Sequence, residues 1–182
     1  MYIESVKLKN FRNYEEIEVK LKVNNQEFNR IKSIIKKGDT PILTCNLIDN
    51  YYIPTHRDFC NEWFRIRNEN NKYILTYKKK IIDNCCEEYE VLIDNFNNFE
   101  IILKNLDFKM KGSIVKEREK IMYKDKYEFS FDNVSGIGTF VEVEVKKIDY
   151  DNITEIKELM KLLESLKIDL KSIENKRYFD YL

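Results

Sequence analysis

Charged residues recur at a spacing of two in five segments of this 182-residue chain: Glu16-x-Glu18-x-Lys20, Arg65-x-Arg67, Lys78-x-Lys80, Lys116-x-Arg118 and Glu142-x-Glu144. Successive side chains on a β-strand point to opposite faces, so each run puts its charges on one face. The skipped positions are mostly apolar, as at Ile17, Val19, Ile66 and Val143. Acidic runs lie toward both ends of the chain and basic runs lie between them. Carboxylates are hard oxygen donors suited to Mg²⁺ or Mn²⁺. Guanidinium and ammonium groups hold phosphate oxygens. Segregation by sign therefore points to a metal-and-phosphate site.

The elements that must position these groups follow from hydrophobic periodicity. Alternation predicts strands over 15–23, 41–53, 62–69, 72–81, 86–93, 112–123, 126–133 and 139–147. Helical spacing of apolar residues predicts helices over 24–37, 95–105 and 153–167, the last being the clearest amphipathic helix. Asn70-Asn71, Lys124-Asp125 and Ser135-Gly136 read as turns. The charged and aromatic stretch 170–182 is expected to dock back on the domain. The whole is a single domain in α+β order with mostly antiparallel hairpins.

An antiparallel sheet commonly keeps one face in water, and any one run taken alone fits a solvated face. Three features weigh against that for the set. The signs segregate along the chain. Like charges fall on the adjacent strands 62–69 and 72–81, where they would repel. An open sheet would also carry one very wide polar face. A closed barrel of about eight strands resolves this, with charges lining an interior wide enough for one small ligand. Its apolar outer faces must then be covered by the helices. Unpaired buried ions cost several kcal/mol each, so an inward ring of cations demands a polyanion or water. A triphosphate meets that demand.

Composition narrows the partners. Thirty-two basic residues balance thirty-two acidic ones, without the basic excess of a nucleic-acid binder. Apolar residues make up 43%, which argues against disorder. No apolar run reaches the roughly 18 residues needed to cross a membrane, and no secretory signal opens the chain. Cys45, Cys60, Cys85 and Cys86 show no C-x-x-C spacing and read as reduced cytoplasmic thiols. The single histidine, His56, reads as a loop residue, which leaves Ser-His and Cys-His chemistry without a base. Gly136-Ile137-Gly138 precedes a strand, not a helix, and reads as a turn instead of a nucleotide cradle.

The ordered set of E-x-E-x-K, R-x-R, K-x-K, K-x-R and the segment D-x-x-x-G-x-G-x-F-x-E-x-E from Asp132 to Glu144 resembles the CYTH superfamily, the triphosphate tunnel metalloenzymes. The likeness runs from about Glu15 to the C-terminus. It implies a closed eight-stranded tunnel. It implies two divalent ions, Mg²⁺ or Mn²⁺, held by Glu16, Glu18, Asp132, Glu142 and Glu144. Lys20, Arg65, Arg67, Lys78, Lys80, Lys116 and Arg118 would grip phosphate, with Lys20 and Glu142 in catalytic roles. Lys116-x-Arg118, the Gly136–Gly138 turn and the terminal Tyr178-x-x-x-Leu182 are most similar to the class IV adenylyl cyclase branch. Lys176 and Arg177 replace that branch's Arg-Ser before its terminal tyrosine. Thr139 stands where many cyclase relatives carry an acidic residue.

The resemblance implies conversion of ATP to 3′,5′-cyclic AMP and pyrophosphate. The same scaffold admits a triphosphatase acting on inorganic, thiamine or nucleoside triphosphate, and at lower weight a phosphate or nucleotide sensor. The expected partner is a triphosphate small molecule, with no nucleic acid and no membrane, and with a homodimer admitted. Residues 2–14 resemble the first strands of recombination-type and SMC-type ATPases, but no G-x-x-x-x-G-K-S/T loop follows them. They read as an extension or an extra edge strand.

Overall fold

Alternation decides the architecture from the first strand onward. On β1 (Tyr14–Val23), Ile17, Val19 and Leu21 are wholly buried, while Glu16, Glu18 and Lys20 face the other way. The computed structural model describes residues 14–182. The stretch read as an N-terminal extension therefore lies outside the described residues. The further strands are β2 (Leu43–Pro54), β3 (Glu62–Glu69), β4 (Lys72–Ile82), β5 (Cys85–Ile93), β6 (Phe108–Tyr123), β7 (Tyr127–Val134) and β8 (Gly138–Val145). They close into an antiparallel barrel in the order β1-β5-β4-β3-β2-β6-β7-β8.

The tight connections follow turn chemistry. Asn70 and Asn71 both take left-handed φ, 51° and 64°, as the two-residue turn between twisted strands requires. Lys124 and Asp125 repeat this between β6 and β7. Gly136, at φ 73°, makes the β7–β8 turn expected at that glycine pair.

Three helices, α1 (Asn25–Ile35), α2 (Phe96–Asn105) and α3 (Asn152–Ser165), pack on the outside. Side chains of Asn24, Asn95 and Asp151 accept from backbone N–H groups in the first turns and set where each helix starts. The main core lies between barrel and helices. Ile17, Val19, Leu21, Phe129, Phe131 and Val143 from the strands meet Ile31 and Ile35 of α1 and Leu159 and Leu163 of α3. α2 covers the outer faces of β3 and β4, where Leu103 joins Tyr52 and Ile66. Among the described residues no helix is long and apolar enough to cross a membrane.

β6 starts at Phe108, earlier than its alternation after Gly112 predicts. A bulge explains the difference: Tyr51 pairs with Gly112 but Tyr52 with Met110, leaving Lys111 extra. The displaced Lys111 Nζ donates to the Phe179 carbonyl at 3.1 Å and lies 3.8 Å from that ring's centre. A Cβ at Gly112 would meet Leu182 at 3.0 Å, so this glycine makes room for the chain end.

The C-terminal stretch does dock back. Ile173 bridges to Leu21, Glu174 N–H donates to the Lys20 carbonyl, and Arg177 Nη1 donates to the Glu62 carbonyl. Tyr178 and Phe179 join Tyr51, Ile114, Val134 and Phe140 in an apolar cluster that fills one side of the barrel end. If the outer core carries the fold, Leu159→Ala should lower unfolding free energy by about 2–5 kcal/mol in chemical denaturation.

Candidate active site in the barrel lumen

The lumen collects the inward positions of all eight strands. Cross-strand register sets Glu18 opposite Glu144, Lys20 opposite Glu142, Arg118 opposite Asp132, Arg67 opposite Asp49 and Lys78 opposite Glu88. The cavity they surround measures about 390 Å³. Its lining includes Glu69, Lys120 and Lys146 toward one end of the strands and Trp63, Lys80, Asp83 and Arg177 toward the other.

Glu16, Glu18, Glu142 and Glu144 share the cavity wall. Burial and the charges of Glu142 and Glu16 push the Glu18 carboxyl up to about 8. Among the described residues it has no ion-pair partner. Glu16 and Glu144 are also raised, first by burial. Burial would raise Glu142 too, but Arg118, Lys116 and Lys20 hold it well below the usual carboxylate range.

This donor set fits a divalent cation. It consists of hard oxygens, and burial together with the neighbouring carboxylates makes a negative charge on Glu18 costly until a cation offsets it. The carboxylates are not gathered into a finished cage. Among the described residues no three acidic, thiol or imidazole groups form a metal-holding cluster. Glu16 is bonded to Lys78, Glu142 to Arg118, and Glu144 to Lys146 at 2.7 Å. Cation binding must exchange these ammonium and guanidinium partners for the ion.

The basic wall is built on two buried carboxylates. Asp49 is wholly buried and receives Arg67 Nε at 2.7 Å and Nη2 at 2.8 Å, with Arg65 Nη1 at 3.4 Å. Burial opposes ionisation of Asp49, yet Arg67 and Arg65 outweigh it and hold the carboxyl far below its ordinary range. Arg65 Nε is buried without a hydrogen-bond partner. Lys78 lies between Glu16 and Glu88; burial would lower its pKa, but those two charges raise it. Lys80 is more exposed and pairs with Asp83 at 2.6 Å.

Two expected contributors stand apart from the cavity. Asp132, expected among the metal-holding carboxylates, is wholly buried and does not line it. Its oxygens take Arg118 Nε at 2.6 Å, Arg118 Nη2 at 2.5 Å, Lys116 Nζ at 3.0 Å and the Tyr178 hydroxyl at 2.9 Å. Lys116, expected to grip phosphate, is also absent from the cavity wall, its ammonium held between Asp132 and Asp49. Burial and the neighbouring Arg118 charge lower its pKa. The other expected residues, Glu16, Glu18, Lys20, Arg65, Arg67, Lys78, Lys80, Arg118, Glu142 and Glu144, all border the cavity.

Lys20 is engaged by the C-terminal segment. Its Nζ donates to the Lys176 carbonyl and sits 4.6 Å from the centre of the Tyr178 ring. Sequence reasoning missed Asp49, a lone carboxylate in an apolar strand whose importance depends on the β2–β3 register. It also missed Glu88 and Glu90, which repeat the spacing of two on β5. His56 is exposed, and all four cysteines are free thiols.

The raised Glu18 carboxyl carries a pH signature. Its folded form keeps a proton that the unfolded chain loses above about 4.5, so its contribution is whole below that pH. The contribution fades as pH rises toward about 8. In chelator, the Tm of the protein should fall across this window, and Glu18→Gln should flatten the fall. An equally steep fall in the variant would dissociate it from Glu18.

Comparison with known proteins places this arrangement. The family model described as the CYTH domain matches residues 15–178. A Methanocaldococcus jannaschii protein named "putative adenylate cyclase" is 34% identical over 171 residues, covering 90% of this chain and 97% of that protein. A solved Pyrococcus horikoshii protein superposes with a TM-score of 0.77 at 29% identity, covering 91% of this chain and 97% of its own. A Hippeastrum structure, described as a "putative adenylyl cyclase" with a dominant triphosphatase activity, superposes at a TM-score of 0.64. It is 17% identical and covers 89% of this chain and 90% of its own; that likeness is one of fold alone.

Proposed function

This chain belongs to the CYTH domain family, and from that membership we propose that it is a divalent-cation-dependent enzyme that converts ATP to 3′,5′-cyclic AMP and pyrophosphate. The observation that carries a triphosphate substrate is one lumen lined both by Arg65, Arg67, Lys78 and Arg118 and by Glu16, Glu18, Glu142 and Glu144. The choice of a cyclase is supported by the naming of the Methanocaldococcus relative.

In this reading the ribose 3′-hydroxyl releases its proton to solvent water and its oxygen attacks the α-phosphorus. The bond from that phosphorus to its bridging oxygen breaks, and pyrophosphate departs with the electron pair. Arg65, Arg67 and Arg118 bind the phosphate oxygens and offset the charge that builds on the leaving group. Lys78 adds a buried ammonium to the same wall. Glu16, Glu18, Glu142 and Glu144 would hold Mg²⁺ or Mn²⁺. A divalent ion bound there lowers the pKa of an oxygen nucleophile and neutralises phosphate charge. Lys20 lies beside Glu142 in the register and borders the same cavity, where its ammonium adds positive charge. Asp132, itself paired with Lys116, braces Arg118 from behind. Trp63, which borders the same cavity, is the aromatic side chain placed to meet the group attached to the phosphates.

Hydrolysis is the second reaction these groups support, with water in place of the 3′-hydroxyl and orthophosphate as product. Incubation with Mn²⁺ and either ATP or inorganic triphosphate separates the two. Cyclic AMP with pyrophosphate is expected; orthophosphate without cyclic AMP would assign a triphosphatase, and binding without turnover a sensor. Glu142→Gln should abolish turnover in a folded protein, and EDTA should do the same reversibly. Replacing Arg65 by Gln should chiefly raise KM. Unchanged KM would take Arg65 out of the phosphate site.

A further inference from the structure

Asp49 belongs to the wall of the lumen without touching the cavity. It is wholly buried, whereas its partners Arg65 and Arg67 border the open space. Arg67 spends Nε and Nη2 on the two Asp49 oxygens in a fork-to-fork pair, which leaves Nη1 directed elsewhere. Arg65 gives Asp49 a single, longer contact and keeps its buried Nε donor unpartnered. Lys116 stands 3.8 Å from Asp49 and 3.0 Å from Asp132, tying this brace to the one behind Arg118.

We propose that Asp49 is a positioning residue for phosphate recognition: by holding the Arg67 and Arg65 guanidinium groups from behind, it presents their remaining N–H donors to the phosphate chain. The proposal rests on the reading of the lumen as a triphosphate site. Long basic side chains lose much rotamer freedom when they are ordered by a ligand. A carboxylate that orders them beforehand removes that cost from binding.

Electrostatics alone predicts the opposite effect, which makes the idea testable. Asp49 places a negative charge directly behind two cations. Removing it raises the positive potential of the cavity and by itself should tighten anion binding. If positioning dominates, the same removal weakens binding.

The test is calorimetric titration of the full chain with inorganic triphosphate and Mg²⁺. Asp49→Asn, matched in shape and stripped of charge, should bind about tenfold or more weakly. Asp49→Glu keeps the charge but displaces the carboxylate by one methylene, so it too should bind more weakly, and it carries the test if the Asn variant does not fold. Asp49→Asn should cost less when added to Arg67→Gln than it costs alone, because much of its action passes through that arginine and the rest through Arg65. Leu159→Ala, destabilised but remote from the lumen, should bind as the wild type does. Unchanged or tighter binding by both Asp49 variants, or full additivity with Arg67→Gln, overturns the positioning role alone. A wild-type protein that fails to bind triphosphate overturns the lumen reading and this proposal with it.

Discussion

Arg65, Arg67, Lys78, Lys116 and Arg118 are all buried inside one barrel, and everything else in the structure answers to that. Cations removed from water cost several kcal/mol each unless matched by opposite charge at hydrogen-bonding distance. Asp49 and Asp132 supply that match from within the wall, and Glu16 and Glu142 supply it across the lumen. The result is not neutral filler. The carboxylates behind the wall are saturated by their partners, whereas those across the lumen hold cations that a phosphate chain could claim.

This arrangement explains why the apolar core lies outside the barrel. With charge filling the lumen, Ile17, Val19, Leu21, Phe129 and Phe131 must bury their side chains outward, and α1 and α3 provide the cover. Toward one end the interior turns apolar, where Tyr51, Ile114, Phe140, Tyr178 and Phe179 pack together. Tyr178 belongs to both regimes. Its ring closes the apolar cluster, and its hydroxyl donates to Asp132, so the last turn of the chain is wired into the charge network.

Much of the fold was legible before any coordinates. Period-two alternation located the strands because each has one face on the outer core and one in the lumen, as Glu16-Ile17-Glu18-Val19-Lys20 shows. The β6 start was misplaced because a bulge breaks the alternation at Lys111. For the site, spacing singled out Arg65, Arg67, Lys78 and the four glutamates, which recur as pairs and all border the cavity. It passed over Asp49, which stands alone between Leu47 and Tyr51 and gains meaning only beside β3. The resemblance placed Asp132 with the metal-holding acids and Lys116 with the phosphate-binding cations, and the structure sets both behind the cavity wall, because a one-dimensional pattern records that a charge points inward but not how deep it sits.

The chain by itself therefore determined the runs of paired charges, the face each occupies and the need for a closed barrel to hold them. Those properties are local, set by a two-residue period and by the cost of burying unpaired ions. Tertiary structure alone decided which inward charges meet the cavity and which stand behind it. That choice depends on the register between strands far apart in sequence, such as β1 with β8 and β2 with β6. It separates Glu142, in the cavity wall, from Asp132, which lies one strand away on β7 and is sealed beneath Arg118 and Lys116.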